Sequence, residues 1–225
     1  MKKIAGFVVA GLMLTTGGAA NAADLDVAPT TWPFYVSAAV GAAFSDEFYD
    51  NVGDGPTPRG FGTGVGGALS GAFGVEFSPN WRAELNALYI SNSTNDWVFN
   101  GEPKATRGGT VDSLYVFGNV LYDFGLGGAF NPYVGGGLGM AEVSFDDVGP
   151  IVGANTWDGT GDWSFAWQVI AGTTIETSTN FEMFMEYRFV NAVDVDVVNS
   201  GPGPALASNG DLSNHLIMIG TRLKF

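Results

Sequence analysis

The chain has 225 residues, of which 23 are acidic and 9 basic, with no cysteine and 34 glycines. Its net charge of −14 argues against nucleic acid as a partner, because phosphate binding needs clustered Lys and Arg. The missing cysteines exclude a disulfide framework, a thiolate metal site and a cysteine nucleophile.

The first element is an export signal. Lys2 and Lys3 form a positive start, Ile4 to Leu14 an apolar stretch, and Ala20-Asn21-Ala22 a small-x-small cleavage pattern. Cleavage after Ala22 is predicted, giving residues 1–22 as signal peptide and 23–225 as the mature domain, with its charge lowered to −16 by the loss of two lysines. The apolar stretch is shorter than the roughly 20 residues a spanning helix needs. The uncharged run Gly125–Ala141 is no such helix either, since it holds seven glycines and a proline. An apolar chain without a spanning helix has one other way to cross lipid, a closed barrel in which every backbone polar group is paired.

Eight segments then alternate with period two, the strand signal. The first covers Phe34–Phe44, with Phe34, Val36, Val40 and Phe44 on one face and Tyr35, Ser37 and Gly41 on the other. The second covers Gly62–Phe77, with Val65, Leu69, Phe73 and Phe77 opposite Gly66, Ser70, Gly74 and Glu76. The third covers Trp81–Ile90, with Leu85 and Tyr89 opposite Arg82, Glu84 and Asn86. The fourth covers Val111–Phe124, with Val116, Val120 and Tyr122 opposite Tyr115, Phe117, Asn119 and Asp123. The fifth covers Pro132–Val143, with Val134, Leu138 and Met140 opposite Gly135, Gly137 and Gly139. The sixth covers Trp163–Glu176, with Phe165, Trp167 and Val169 opposite Gln168, Ile170, Thr174 and Glu176. The seventh covers Phe181–Val190, with Met183, Met185 and Tyr187 opposite Glu182, Phe184, Glu186 and Arg188. The eighth covers Leu212–Phe225, with Ile217, Ile219 and Leu223 opposite Met218, Gly220, Arg222 and Lys224.

Such strands suit a soluble sandwich or a membrane barrel. Three features favour the barrel. The strands are long enough for the 9–11 residues that a bilayer requires. Aromatics gather at strand ends, as interfacial girdles require: Phe34, Tyr35, Phe44, Phe77, Trp81, Tyr89, Tyr122, Phe124, Tyr133, Trp163 and Phe225. Connections alternate between short (Ser78–Asn80, Gly125–Asn131, Thr177–Asn180) and long (Asp46–Phe61, Ser91–Gly109, Asp146–Asp162, Asn191–Asp211). The predicted fold is therefore all-β, an eight-stranded antiparallel up-and-down transmembrane β-barrel with short periplasmic turns and long extracellular loops.

Several segments carry a resemblance: Phe34-Tyr35-Val36-Ser37-Ala38, Asn119-Val120-Leu121-Tyr122-Asp123-Phe124, Asn131-Pro132-Tyr133-Val134-Gly135-Gly136-Gly137-Leu138-Gly139 and Glu186-Tyr187-Arg188-Phe189. Through them the chain resembles the small bacterial outer-membrane β-barrel superfamily of OmpA-type barrels, opacity proteins and alphaproteobacterial surface antigens. The Pro-Tyr-Val-Gly-Gly-Gly segment is also similar to the OmpW family, whose barrels have an apolar lumen. The resemblance implies a place in the bacterial outer membrane among lipid and lipopolysaccharide, periplasmic chaperones during biogenesis, and a monomer. It also implies that Ile219, Thr221, Leu223 and the terminal Phe225 form the signal read by the barrel-assembly machinery. No peptidoglycan-binding domain is expected after the eighth strand, unlike in full-length OmpA.

Candidate chemistry is sparse. Gly62-Thr63-Gly64-Val65-Gly66-Gly67 fits G-x-G-x-x-G but leads into a strand rather than a helix, so close strand contact explains it better than a nucleotide. His215, the one histidine, follows Ser213, yet it shares parity with lipid-facing Ile217, and no acid in the sequence is placed to orient it. Asp50-Asn51-Val52-Gly53-Asp54-Gly55 begins like a calcium loop, but Val52 and Phe61 stand at ligand positions. No cofactor, metal site or catalytic residue is expected.

The charged inward positions are Glu76, Arg82, Glu84, Asp123, Glu176, Glu182, Glu186, Arg188, Arg222 and Lys224. They are expected to pair as a salt-bridge network that fills a narrow lumen, because an unpaired buried charge is costly. Tyr115, Phe117, Ile170, Phe184 and Met218 face inward with them and would obstruct an ion path. The first, third and fourth long loops are acidic. The resulting expectation is a non-enzymatic structural barrel whose acidic loops serve envelope integrity or surface and host contact. A low-conductance porin or an OmpW-like conduit for small apolar molecules is the alternative.

Overall fold

The computed structural model describes residues 34–50, 59–99, 102–105, 108–126, 130–148, 156–197, 199–200 and 208–225. The predicted signal peptide, Asp54 in the calcium-like stretch and parts of the long loops lie outside them. In chain order the strands are β1 (Phe34–Ser45), β2 (Phe48–Asp50), β3 (Arg59–Thr63), β4 (Val65–Ser78), β5 (Trp81–Phe99), β6 (Glu102–Ala105), β7 (Thr110–Asp123), β8 (Phe130–Val148), β9 (Thr156–Thr160), β10 (Ser164–Glu176), β11 (Phe181–Val197), β12 (Asn199–Ser200) and β13 (Ser208–Lys224).

Eight of these close a ring. β1 pairs with β4, then β5, β7, β8, β10, β11 and β13 follow in turn, and β13 pairs back onto β1, every pairing antiparallel. The last main-chain bond runs from Phe225 N to Phe34 O at 3.0 Å, so both ends of the barrel sequence lie at the short-turn rim. Closure leaves no unpaired edge among these eight strands, as lipid demands. The faces sort as alternation requires. Leu69, Leu85, Leu138, Val169, Met185 and Ile219 are exposed on the outside, while Leu88, Tyr115, Ile170, Leu216 and Met218 are buried inside.

Four of the strands outrun the bilayer. β5 and β8 have 19 residues and β11 and β13 have 17, against the 9–11 that suffice to span. The long connections expected as loops are therefore partly sheet. Main-chain groups rising past the rim pair with their neighbours, and β2, β3, β6, β9 and β12 add short strands to these extensions. Two of the register shifts in these extensions place Asp147 (φ 52°) and Asp194 (φ 53°) in the left-handed conformation that Asp tolerates.

The expected second strand starts at Val65 rather than Gly62. Gly62 belongs to β3, which pairs with the β5 extension, and no helix follows the glycines. Tyr35 and Tyr133, expected in the lipid girdle, instead point inward and are buried. Parity on their strands decides this, since Tyr35 lies opposite the phase of Phe34 and Val36.

The inward glycines have a steric purpose. Tyr35 on β1, Gly74 on β4 and Glu84 on β5 stand side by side in register. The Tyr35 ring lies across Gly74, and its hydroxyl donates to Glu84 at 3.0 Å. Tyr133, Gly172 and Glu186 repeat the arrangement, with the hydroxyl donating at 2.8 Å. A Cβ on Gly172 would stand 2.6 Å from the Tyr133 ring. Asn119, Gly137 and Gln168 do the same with amides, Gln168 Nε2 donating to Asn119 Oδ1 at 2.7 Å. Each glycine lets two inward side chains meet across the strand between them.

Candidate functional site

The lumen has three levels. The lowest is a vestibule of about 360 Å³ at the short-turn end, with Glu76, Arg82, Asp123, Glu176, Glu182, Arg222 and Lys224 among its walls. Arg82 grips Asp123 with two nitrogens, at 2.6 and 3.0 Å, the bidentate geometry that suits guanidinium and carboxylate. Arg222 Nη1 donates to Glu182 at 2.8 Å. Lys224 Nζ lies 2.9 Å from Glu76 and 2.5 Å from Glu182. Asn131 donates to Glu176 at 3.1 Å. The Arg222 guanidinium packs over the rings of Tyr35 and Phe184, 4.9 and 5.4 Å from their centres.

Above it lies a polar belt. Glu84 accepts from Tyr35 and, at 2.8 Å, from Asn119. Arg188 pairs with Glu186, Nη2 to Oε1 being 2.6 Å, and donates to Asn86 at 2.9 Å. Asn86 in turn donates to Ser70 at 2.8 Å. Arg82, Glu182, Glu186, Arg188 and Arg222 are all under 5% exposed. Of the ten charged positions read from sequence, Arg82, Glu84, Glu182, Glu186, Arg188 and Arg222 are buried, Glu76, Asp123 and Lys224 are half-buried, and Glu176 is exposed at the vestibule rim. Arg82, Asp123, Glu182, Glu186, Arg188, Arg222, Lys224 and Glu76 form ion pairs, while Glu84 and Glu176 are held by neutral donors among the described residues.

The uppermost level is packed and mostly apolar. Tyr115 and Phe117 stack at 5.6 Å, both fully buried. Asn214, whose amide donates to the Tyr115 hydroxyl at 3.3 Å, sits in a cluster with Ser45 and Asn92. Beyond it, inside the extended strands, Phe48 stacks on Phe61 at 5.2 Å, and both contact Phe145 at 6.2 and 6.1 Å. These rings are at most 2% exposed and share a cluster with Val143, Val148, Val195 and Leu212. Sequence reading missed this plug because Phe48 and Phe61 lie in an acidic, glycine-rich stretch taken for loop. The one available signal was the isolated aromatics themselves, Phe48 and Phe61 in one long connection and Phe145 just before another.

His215 lies on the outer face near the long-connection end. Its Nδ1 is 2.6 Å from the Tyr187 hydroxyl, and the Phe189 ring is 5.0 Å away. Asp46 stands 3.5 Å from its Nε2, so an acid does face it, contrary to the expectation from sequence. The acid comes from the end of the neighbouring β1 through the pairing of Phe44 with His215, a proximity that sequence spacing hides. Ser213 is engaged elsewhere, its hydroxyl accepting from Asn191 at 2.9 Å, so no Ser–His pair forms. Among the described residues, no three His, Cys, Asp or Glu side chains are grouped to hold a metal.

Comparison with known proteins agrees with this geometry. The family model described as outer membrane protein beta-barrel domain matches residues 10–225. Among solved structures, the chain is similar to Neisserial surface protein A at 18% identity, covering 86% of this chain and 97% of that one, with a TM-score of 0.56. It is likewise similar to the outer membrane protein OprG of Pseudomonas aeruginosa at 15% identity, covering 87% and 98%, with a TM-score of 0.60. No match is found among curated proteins.

Proposed function

The chain belongs to the outer membrane protein beta-barrel domain family of the bacterial outer membrane, and on that premise we propose that it is a closed, non-enzymatic structural barrel presenting an acidic surface for contact outside the cell. The observation that carries this reading is the filled lumen. Charge pairs cross its lower half, and the buried Phe48, Phe61 and Phe145 fill its upper half. An eight-stranded barrel is just wide enough for side chains to fill it, and here both polar and apolar ones do so. Conduction would need several buried rings to leave their places together. Gly135, Gly137 and Gly139 would line an apolar conduit, but each sits against an inward side chain: Leu121, Asn119 and Phe117 respectively. The transport alternative therefore has less support than display.

What remains for function is the sheet rising above the membrane and the acidic residues on or beside it, Asp158, Asp194 and Asp211 within strands and Asp46 and Asp162 between them. Their partners on this reading are neighbouring lipopolysaccharide and host surfaces. Replacing the exposed Asp158 and Asp162 by asparagine tests it. The variant is expected to fold as before, with unchanged heat-modifiable gel mobility, while cells carrying it adhere less to a host-cell monolayer. Unchanged adhesion from a variant displayed at wild-type level would remove surface contact from its role.

A further inference from the structure

We propose that the vestibule at the short-turn end is a binding site for a small zwitterion, a molecule carrying both an ammonium and a carboxylate, as an amino acid or dipeptide does. Its volume of about 360 Å³ falls within the range typical of small-molecule pockets. It opens at the short-turn end, where Ser78, Pro79 and Gly125 are among its walls.

Charge selects one half of the ligand. Three cations and four carboxylates line the vestibule. Arg82 is committed to Asp123, Arg222 to Glu182, and Lys224 to Glu76 and Glu182. Glu176 is left with the Asn131 amide and no ion pair among the described residues. An ammonium beside Glu176 would neutralise the surplus.

Unpartnered buried atoms select the other half. Thr174 and Arg222 line the same cavity and are each 4% exposed, yet Thr174 Oγ1 and Arg222 Nε have no hydrogen-bond partner. Stacking on Tyr35 and Phe184, together with the bond from Nη1 to Glu182, fixes the guanidinium, so Nε–H cannot turn to another acceptor without breaking these contacts. A carboxylate is the group that a guanidinium N–H and a hydroxyl both recognise. A simple cation would leave these two donors unpaired, and a simple anion would oppose Glu176. A zwitterion satisfies both ends.

The test is calorimetric titration of the full barrel, refolded in detergent micelles, with L-alanyl-L-alanine. N-acetylation of the probe removes its ammonium, and amidation removes its carboxylate. Saturable binding is expected, with both blocked probes weaker. Glu176→Gln is expected to weaken the dipeptide about fivefold, the scale of an exposed ion pair. Thr174→Val, which keeps the side-chain shape, is expected to weaken it about fivefold through the lost hydroxyl. Circular dichroism checks the fold of each variant. No saturable heat, or an affinity indifferent to both blocking groups and both substitutions, would overturn the proposal and leave the vestibule as solvent space. Neither result bears on whether the barrel conducts, which is measured separately.

Discussion

Arg82→Ala is expected to lower the unfolding free energy of the refolded barrel by about 3–5 kcal/mol, the range for removing one partner of a buried ion pair. Arg82 is 2% exposed and binds Asp123 through two nitrogens. Its guanidinium also lies over the Tyr133 ring at 4.9 Å and donates to the Tyr35 hydroxyl at 3.4 Å. Truncation would leave Asp123 without its cation and Glu84 in a more negative interior. The double variant Arg82→Met/Asp123→Leu removes both charges and is expected to recover most of the loss, because the penalty comes mainly from the carboxylate left behind. Urea titration of the three proteins checks this. A loss below about 1 kcal/mol in Arg82→Ala would place the pair among solvent-screened contacts and contradict its description as a buried ion pair.

The second large effect is on the opposite face. Val169→Arg is expected to cost about 2–4 kcal/mol in lipid vesicles, the measured scale for arginine near the bilayer midplane of a barrel. Val169 lies midway along β10 and is 50% exposed in the protein alone, facing the space that lipid fills. An exposed position on a water-soluble protein would change by no more than about 0.5 kcal/mol, so the size of the loss separates lipid from water as the outer solvent. Val169→Leu is the control and is expected to change little. Tryptophan fluorescence during urea titration reads both, and a near-zero cost for Val169→Arg would contradict the membrane-facing assignment.

The eight-strand ring was legible in the sequence because period-two alternation and the sorting of short from long connections both survive in one dimension. The inward charges were legible for the same reason, since parity on a strand assigns a face. Their pairing was not, because Arg82 meets Asp123 only through the register of β5 with β7. The tyrosines show where composition misled. Tyr35 sits at a strand end like a girdle residue, but its phase sends it inward, where Gly74 makes room for its ring. The upper sheet was hidden for another reason. The β5 extension reads Ser91-Asn92-Ser93-Thr94-Asn95, which has no apolar alternation, although Asn92 and Thr94 face inward and are buried. Here the strand meets water outside and the local Ser45–Asn92–Asn214 cluster inside, so the hydrophobic period that marks a strand is absent from it. His215 was read as unsupported because its acid, Asp46, stands far away in sequence and joins it only when the first and last strands close the ring.

The central claim is that the lumen is closed by its own side chains, and single-channel recording in a planar bilayer tests it most directly. Refolded protein with confirmed strand-type circular dichroism is expected to insert without producing conductance steps. Reproducible steps from folded protein would contradict the closed barrel and make transport its function.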